Sequence, residues 1–259
     1  MERIRSNREF MKSVFASLPT GMSDQSKGVE EPPLGLPPDP GAKLVALPKP
    51  DRRILSQDSV YACMEKRRSR RRWTKESLSL EELSFLLWAT QGVEEILGDG
   101  YATLRVVPSG GARHAFETYL IVNRVKELDP GVYRYLPLTH QPGGQLAPEL
   151  VFLFAADNLP EKISRATFGQ KFVADGAVVF LWSCIPYRGE WRYTVAAHKL
   201  MLLDAGHVCQ NLYLGCEAIG AGTCAVGAYD QEAVDALLKL DGEDEFVISL
   251  APVGRPQAE

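Results

Sequence analysis

The residues with the clearest chemical capacity form a basic tract at positions 67–72, with the sequence RRSRRR, and Trp73 follows it. Guanidinium groups bind phosphate through paired hydrogen bonds, and a serine hydroxyl between them adds a neutral donor. The chain as a whole has a formal net charge of -4, so an anion site here would be local. A short basic run is more often a solvated face or a nuclear-import-like signal. Because Trp73 is expected to anchor the run in the core at the end of a helix, the tract predicts a phosphate-like anion site.

Two segments that contain glycine could bring the main chain close to a ligand. Residues 108–113 read PSGGAR, where the glycines permit close approach and Ser109 offers a hydroxyl donor. Residues 220–227 read GAGTCAVG, directly after a long helical stretch, and could present several free N–H groups. The ordinary interpretations are a simple turn for the first and a Schellman-type helix stop for the second. Arg255 follows a strand near the C-terminus, where most arginines are merely exposed.

Asp204 and His207 lie three residues apart, which places both side chains on one face of a helix and makes a catalytic pair conceivable. The favoured interpretation is structural, with the histidine buried and hydrogen-bonded in the core of a dimer. The five cysteines are widely spaced and form no CxxC pair. They predict buried free thiols, no metal centre and a reduced, cytoplasmic setting.

The N-terminal region differs in composition from the rest of the chain. Proline, glycine and charged residues dominate from about Leu18 to Pro50, which predicts an extended arm over residues 1–50 and one domain over residues 51–259. The amphipathic piece at residues 8–18 either docks on a partner subunit or frays. The N-terminus has no apolar signal region, and no run has the length that crossing a bilayer needs, so no membrane association is expected.

Apolar spacing predicts two helices on either side of the tract. The first begins near Gln57 or Asp58 and turns its apolar side chains toward the arginines. These side chains are Val60, Tyr61 and Met64. The second begins with a capping box of Ser79 and Glu82 and stops at Gly92. Its buried side chains are predicted to be Leu80, Leu83 and Leu87.

The remainder of the chain mixes strands with two further helices. A hairpin is predicted from strands at residues 118–125 and 131–136, joined by a turn at Leu128-Asp129-Pro130. The other predicted elements are strands at 151–155, 177–182 and 246–250, a long apolar helix over 195–219, and an amphipathic helix over 230–238. Because strands and helices do not alternate strictly, the pattern favours an α+β sandwich over a doubly wound sheet.

Taken together, in this order and at this spacing, the tract, the two glycine segments and the C-terminal arginine resemble the nitroreductase family of flavin enzymes over roughly residues 57–256. Within that family the chain is most similar to the SagB-type branch, which includes the azoline dehydrogenases of thiazole and oxazole peptide biosynthesis. The segments that carry this similarity are PSGGARHAFETYLIV, GVYRYLPLTHQ, LLDAGHVCQNLYL and, in the arm, SDQSKG. The resemblance implies a nitroreductase-like sandwich with a mainly antiparallel central sheet flanked by helices, and a homodimer formed through the long helix.

The resemblance also implies FMN as the cofactor, bound between two chains. The residues that it assigns to the phosphate and ribityl chain are Arg67, Arg68, Ser69 and Arg71, with Arg255 closing on the same phosphate. The residues that it assigns to the flavin ring are Pro108, Ser109, Gly110 and Gly111 of the other subunit, and Ala221 and Gly222 near the reactive N5. Arg192-Tyr193 stands where azoline dehydrogenases carry a Lys-Tyr pair, which makes Tyr193 the candidate for proton transfer. Arginine stays protonated and is no general base, so this departure argues against peptide-azoline oxidation.

The leading functional expectation is an FMN-dependent oxidoreductase that works in a ping-pong cycle with NAD(P)H as the donor. A SagB-like dehydrogenase that acts on a peptide azoline or another small substrate is the first alternative. The second is a flavin-binding partner subunit without turnover. Nucleic-acid binding through the tract is disfavoured by the acidic balance of the chain and by the lack of interleaved aromatic residues.

Overall fold

The computed structural model describes residues 2–98, 100–140 and 144–257. The helices are α1 (Glu2–Phe10), α2 (Val60–Lys66), α3 (Leu80–Gln91), α4 (Leu159–Ala166), α5 (Lys171–Ala174), α6 (Tyr187–Tyr193), α7 (Ala197–Ala218) and α8 (Gln231–Leu238). The strands are β1 (Leu44–Ala46), β2 (Val93–Leu97), β3 (Ala102–Arg105), β4 (Phe116–Val122), β5 (Gly131–Leu136), β6 (Glu149–Phe154), β7 (Val178–Cys184), β8 (Gly222–Thr223) and β9 (Phe246–Gly254).

Seven of these strands form one sheet in the order β1-β6-β5-β4-β7-β9-β8, and each neighbouring pair is antiparallel. β2 and β3 form a separate hairpin. The predicted α+β class with a mainly antiparallel sheet flanked by helices is therefore confirmed.

Every residue of β4 and β7 is buried, as expected for strands covered on both faces. Leu120 and Phe180 point into the cluster that includes side chains of α3 and α7, whereas the alternate residues Ile121 and Leu181 point into the cluster of α4 and α8. The sheet thus lies between two helical layers, and α7 covers one face.

Local sequence signals set the ends of α3 and α7. The predicted capping box is present, because the Ser79 N–H donates to Glu82 Oε2 at 2.9 Å and the Glu82 N–H donates to Ser79 Oγ at 3.2 Å. α7 ends at Ala218 with Ile219 as its C-cap, and the following Gly220 has a φ of 68°. There the N–H of Ala221 reaches the carbonyl of Cys216 at 2.8 Å, and the N–H of Gly220 reaches that of Glu217 at 3.2 Å. This pair of bonds is a Schellman motif, so the helix-stop interpretation is confirmed.

Several boundaries differ from those that the sequence predicts. α2 starts at Val60 with Ser59 as its N-cap, and its apolar side chains at positions 60, 61 and 64 are exposed rather than packed. β4 ends at Val122, because the chain then turns away to hydrogen-bond with Leu78. β9 continues to Gly254, four residues beyond the predicted strand. The β2–β3 hairpin, α4, α6 and the short strands β1 and β8 had no clear signal in the sequence.

The arm packs along the domain, and side chains of the domain donate hydrogen bonds to main-chain carbonyls of the arm. Trp191 Nε1 donates to the Val29 carbonyl at 2.9 Å, and Arg134 Nη2 donates to the Pro37 carbonyl at 2.7 Å. β1 then pairs with β6 at the edge of the sheet. Extended, proline-rich chain has few N–H groups and leaves carbonyls without partners, so side chains of the domain supply the donors. The division of the chain at residue 50 stays a prediction.

All five cysteines are buried free thiols, as predicted. Among residues 2–98, 100–140 and 144–257, no helix combines the length and apolar character that a membrane span requires. The same part of the chain contains no grouping of histidine, cysteine and acidic side chains suited to a metal ion.

Candidate functional site

The tract begins where α2 ends, as predicted, and runs beside the edge strand β8. Ser69 forms a parallel bridge with Thr223, and the Arg70 N–H donates to the Thr223 carbonyl at 2.9 Å. Trp73 is buried, packs against Gly254 and donates from Nε1 to the Phe172 carbonyl at 2.7 Å. The predicted anchoring of the tract by Trp73 is confirmed.

Three arginines of the tract keep guanidinium donors free of acidic partners. Arg67 lies over the ring of Tyr213 at 5.2 Å, and Arg71 lies over the ring of Phe172 at 5.7 Å. Arg68 donates only to the nearby carbonyls of Glu65 and its neighbour Arg67. Within the part of the chain that the structure describes, none of these three forms an ion pair with a carboxylate.

Two side chains of α7 complete the surroundings of the tract. The hydroxyls of Tyr213 and Ser69 are 2.9 Å apart, and the Ala225 N–H donates to the Tyr213 hydroxyl at 2.8 Å. Burial raises the pKa of Glu217, while the charge of Arg70 and a hydrogen bond from the Arg68 main chain act in the opposite direction. Sequence reasoning missed both residues. Their signal is the spacing of four along a helix, which places both on one face.

Arg255 lies at the edge of this region, but its guanidinium is already engaged. Nη1 donates to the Ile219 carbonyl at 2.5 Å, and Nη2 forms an ion pair with Glu82 Oε1. The Arg255 carbonyl accepts from the Thr74 N–H at 2.8 Å. The predicted contact between Arg255 and a phosphate stays a prediction.

Ala221 and Gly222 are buried in the chain. A Cβ placed on Gly222 would lie 2.7 Å from Cγ of Arg70, so this glycine is required by close packing against the tract. The N–H groups of Gly220 and Ala221 are used in the helix stop. The exposed main chain of the segment lies further on, at residues 225, 227 and 228. The predicted contact of Ala221 and Gly222 with the ring stays a prediction.

The PSGG segment is tied to α7 by Asp204. Ser109 Oγ donates to Asp204 Oδ2 at 2.7 Å, and the Gly110 N–H lies 3.1 and 3.2 Å from the two carboxylate oxygens. Gly110 packs against Leu200, whereas Pro108 is exposed. Burial raises the pKa of Asp204, and the two hydrogen bonds from the segment oppose that shift. No local feature of the sequence indicates this contact.

Tyr193 lies against the same segment. Gly111 has a φ of 65°, and a Cβ there would collide with the Tyr193 hydroxyl. Arg192 lies over the Tyr193 ring at 5.2 Å and donates to the Tyr101 hydroxyl at 3.1 Å. The ring of Phe15 meets Tyr193 edge-on at 5.8 Å. Tyr193 is therefore a neighbour of the glycine segment, although its chemical role stays a prediction.

His207 differs from the favoured interpretation of a buried histidine. Its side chain is 51% exposed in this chain, and Nδ1 lies 3.9 Å from Oδ1 of Asp204. The reason is that the Asp204 carboxylate turns toward the glycine segment, while His207 lies on the outer side of α7. Any burial of this histidine would have to come from a second chain.

One chain thus brings the candidate residues into two groups along α7. The tract group comprises residues 67–71 with Tyr213, Glu217 and Arg255. The loop group comprises residues 108–111 with Tyr193 and Asp204. The nine residues from Asp204 to Tyr213 span about 14 Å at the usual helical rise. Exposed apolar side chains lie on the same elements, and these are Val60, Tyr61 and Met64 of α2 and Leu202 and Leu203 of α7.

The tract group fits the phosphate end of FMN. Arg67, Arg68 and Arg71 offer several guanidinium donors without carboxylate partners, and Ser69 offers a hydroxyl. Charge-assisted donors of this type are those that bind phosphate most strongly. Of the predicted ring contacts, Gly222 packs against the tract, whereas residues 108–111 lie in the loop group, so a single chain does not bring the full set together.

Comparison with known proteins gives the same family as the sequence resemblance. A family model described as the nitroreductase family matches residues 64–255. A protein of Methanocaldococcus jannaschii described as a nitroreductase is 30% identical over 190 residues, covering 73% of this chain and 87% of that protein. The trifolitoxin-processing protein TfxB of Rhizobium leguminosarum bv. trifolii is 26% identical over 185 residues. That match covers 69% of this chain but only 48% of TfxB, so the chain spans about half the length of that relative.

Solved structures with this fold include a protein from Ralstonia eutropha described as a nitroreductase. It is 28% identical with a TM-score of 0.65, and the match covers 88% of this chain and 99% of that chain. The E. coli microcin synthetase McbBCD complex with truncated pro-MccB17 gives a TM-score of 0.57 at 17% identity, covering 93% and 84%. A protein from Staphylococcus epidermidis described as an NAD(P)H:FMN oxidoreductase gives a TM-score of 0.54 at 10% identity. That match covers 78% of this chain and 89% of the other. The last two similarities concern the fold alone.

Proposed function

Because the chain belongs to the nitroreductase family, we propose that it is an FMN-dependent oxidoreductase whose arginine tract holds the flavin phosphate. The observation that carries this proposal is the set of guanidinium groups of Arg67, Arg68 and Arg71, which flank the Ser69 hydroxyl. Among the residues that the structure describes, none of the three forms a close ion pair with a carboxylate. In a chain of net negative charge, such a local concentration of unpaired cations favours an anionic ligand. Bound FMN would supply a centre that accepts and donates hydride at N5.

The proposed site is shared between two copies of the chain. The tract group of one copy binds the phosphate, and the loop group of the other copy lies against the ring. The separation of the two groups along α7 supports this arrangement, as do the exposed apolar side chains of α2 and α7. The homodimer therefore completes the site, with α7 at its centre.

Within the loop group, Asp204 holds Ser109 and Gly110 in place through three hydrogen-bond contacts. Tyr193 is the proposed proton donor, because its hydroxyl lies directly on Gly111. Arg192 stacks on the Tyr193 ring and is fixed by Tyr101. A guanidinium remains protonated, so Arg192 orients the tyrosine and does not accept a proton itself.

The absorbance spectrum of the purified protein tests this function directly. We expect a yellow protein that releases FMN on denaturation and that bleaches when NADH or NADPH is added without oxygen. A second oxidised substrate should then restore the colour, as a ping-pong cycle requires. A colourless protein that does not bind added FMN would refute the proposal.

The similarity to TfxB and to the microcin synthetase complex supports a second candidate function. In this version the chain is a SagB-like FMN dehydrogenase that acts on a peptide or another small substrate, with a different electron acceptor. The two versions separate in the anaerobic test, because a dehydrogenase of this type keeps its yellow colour when NAD(P)H is added. A partner subunit without turnover would instead bind FMN and co-purify with other chains.

A further inference from the structure

Arg255 connects three elements that surround the tract. Its guanidinium donates from Nη1 to the Ile219 carbonyl, which is the C-cap residue of α7, and pairs through Nη2 with Glu82 of α3. Its main-chain carbonyl accepts from Thr74, immediately after the tract. The neighbouring Gly254 packs against the indole of Trp73. Side chain and main chain of one residue therefore join the helix stop, α3 and the end of the tract.

These contacts argue against Arg255 as a direct ligand of a phosphate. The Arg255 side chain is 21% exposed, and its partner Glu82 is 13% exposed. If Arg255 turned to a phosphate, the Glu82 carboxylate would be left without its cation in a partly buried position, close to a second anion. Both consequences are unfavourable. In contrast, Arg67, Arg68 and Arg71 form no close ion pair with a carboxylate in the described part of the chain, although the charges of Arg67 and Arg68 lower the pKa of Glu217.

We infer that Arg255 is a positioning residue that holds the tract in its binding geometry and is not itself a ligand of the phosphate. The inference rests on the proposed FMN site. A chain of contacts connects Arg255 to the tract. It runs from the Ile219 carbonyl through the helix stop to β8, where Thr223 binds the main chain of Ser69 and Arg70. Through its own main chain, Arg255 also fixes Thr74 at the other end of the tract. Arg255 is therefore linked to the middle of the tract through β8 and to the chain just after Trp73 through Thr74.

The variant Glu82→Gln distinguishes a positioning residue from a ligand by the sign of its effect. Glutamine at this position retains the capping box but removes the negative charge that holds Arg255. A positioning role predicts that FMN binds about tenfold more weakly while riboflavin affinity changes little, because the charged guanidinium groups of the tract act mainly on the phosphate, which riboflavin lacks. A ligand role predicts unchanged or tighter FMN binding, since Arg255 is released toward the phosphate. Dissociation constants for FMN and riboflavin, measured by flavin fluorescence well below the melting temperature, decide between them.

Substitutions at position 255 give a second, independent comparison. Lysine keeps the positive charge but has no planar fork with which to reach Ile219 and Glu82 together. A positioning role therefore predicts that Arg255→Lys loses as much FMN affinity relative to riboflavin as Arg255→Gln, and that adding Glu82→Gln makes neither worse. Substantial rescue by lysine would overturn the inference. The control is Lys43→Gln, which breaks an exposed ion pair with Asp129 beside β1, at the edge of the sheet opposite to β8, and should leave the affinity ratio unchanged.

Amide hydrogen exchange tests the inference even in a protein that binds no flavin. Loss of the Arg255 contacts should raise the exchange rates of the N–H groups of Arg70, Thr74 and Ala221, which are all hydrogen-bonded along the path. Glu82→Gln and Arg255→Gln should both show this increase, whereas Lys43→Gln should not. Exchange equal to that of the unmodified chain at all three amides would refute the positioning role. Failure of FMN binding in the unmodified chain would refute the proposed function instead.

Discussion

Two sets of arginines lie at different depths in this molecule, one in the exposed tract and one beneath the N-terminal arm. The tract arginines rest on aromatic rings or main-chain carbonyls and keep donors free. The second set is Arg105, Arg113, Arg134 and Arg188. Their donors go to the carbonyls of Leu34, Pro32 and Pro37 in the arm and to the Glu117 carboxylate. The tract arginines therefore keep donors available for an external ligand, whereas the buried arginines use theirs to hold chain segments together.

The charges of the buried set are balanced by very few groups. Arg188 and Glu117 form an ion pair at 2.6 Å, with side chains only 2% and 4% exposed. Glu117 also accepts from the Leu36 N–H at 3.1 Å. Burial lowers the pKa of Arg105 to about 10. The comparison between the two sets leads to four predictions, which follow from the largest expected effect to the smallest.

Removing Glu117 should have the largest effect on the free energy of unfolding. Glu117→Ala leaves Arg188 buried without its counter-charge, which typically costs about 3–5 kcal/mol. Urea unfolding followed by circular dichroism measures the change. The control is Lys75→Ala, which breaks an exposed pair with Asp175 and should alter stability by less than about 0.5 kcal/mol. If both variants were equally stable, the buried set would have no special role in holding the fold.

In the tract, substitution should change ligand binding and leave folding almost unaffected. Arg71→Ala should weaken FMN binding by about 1.5–3 kcal/mol, the range for a hydrogen bond to a charged group. Its free energy of unfolding should change by less than about 0.5 kcal/mol, because Arg71 is exposed. Arg72→Ala removes the same charge at the adjacent residue. It serves as the matched control and should affect FMN binding less. Full flavin retention in Arg71→Ala would contradict the proposed phosphate contact.

The buried arginines also influence a histidine, and this predicts a pH dependence of stability. Burial lowers the pKa of His114 to about 3, and the charge of Arg105 acts in the same direction. An unfolded histidine titrates near pH 6.5, so between about pH 6.5 and 3 only the unfolded chain gains this proton. The contribution of His114 to the free energy of unfolding is complete above that window. As the pH falls through the window, this contribution is lost at up to about 1.4 kcal/mol per pH unit.

His114→Asn should make the decline of stability with falling pH less steep over this window. Asparagine suits the backbone here, because residue 114 has a φ of 43° and asparagine tolerates positive φ better than most residues. Denaturant titrations at a series of pH values measure the slope. An identical slope in both proteins would mean that His114 does not titrate as its burial requires.

The smallest predicted effect concerns the contact between the arm and α6. Trp191→Phe removes the hydrogen bond from Nε1 to the Val29 carbonyl while retaining most of the ring volume. The expected loss is about 0.5–1.5 kcal/mol, together with faster proteolytic cleavage near Val29. Trp73→Phe removes a similar bond, which is made to the Phe172 carbonyl instead of to the arm, and should not change cleavage of the arm. Unchanged cleavage in Trp191→Phe would show that this bond does not hold the arm.

The sequence predicted the features that short segments encode. The capping box of Ser79 and Glu82, the β4–β5 hairpin and the helix stop at Gly220 each depend on a few neighbouring residues, and the structure has all three. The position of the tract at the end of a helix was found for the same reason. These features carry local signals in turn residues, caps and apolar spacing.

What the sequence did not reveal depends on contacts between distant residues. Asp204 binds Ser109 from 95 positions away, and Arg134 binds Pro37 from 97 positions away. An isolated arginine or aspartate carries no local sign of its partner. The engagement of Arg255 by Glu82 belongs to the same class, with 173 positions between the two residues. The candidate site was therefore predictable as a set of segments, whereas the way those segments are held was not.

The pairing of β1 with β6 bears on the order in which the molecule is built. Residues 44–46 emerge from the ribosome about a hundred residues before their strand partners at 149–151. During that interval the arm has neither its strand partner at the edge of the sheet nor the arginines that later donate hydrogen bonds to its carbonyls. Proline-rich composition suits a segment that has to remain open during synthesis, since it resists early helix formation. The arm is therefore synthesised before β6 but can reach its final place only after β6 has been made.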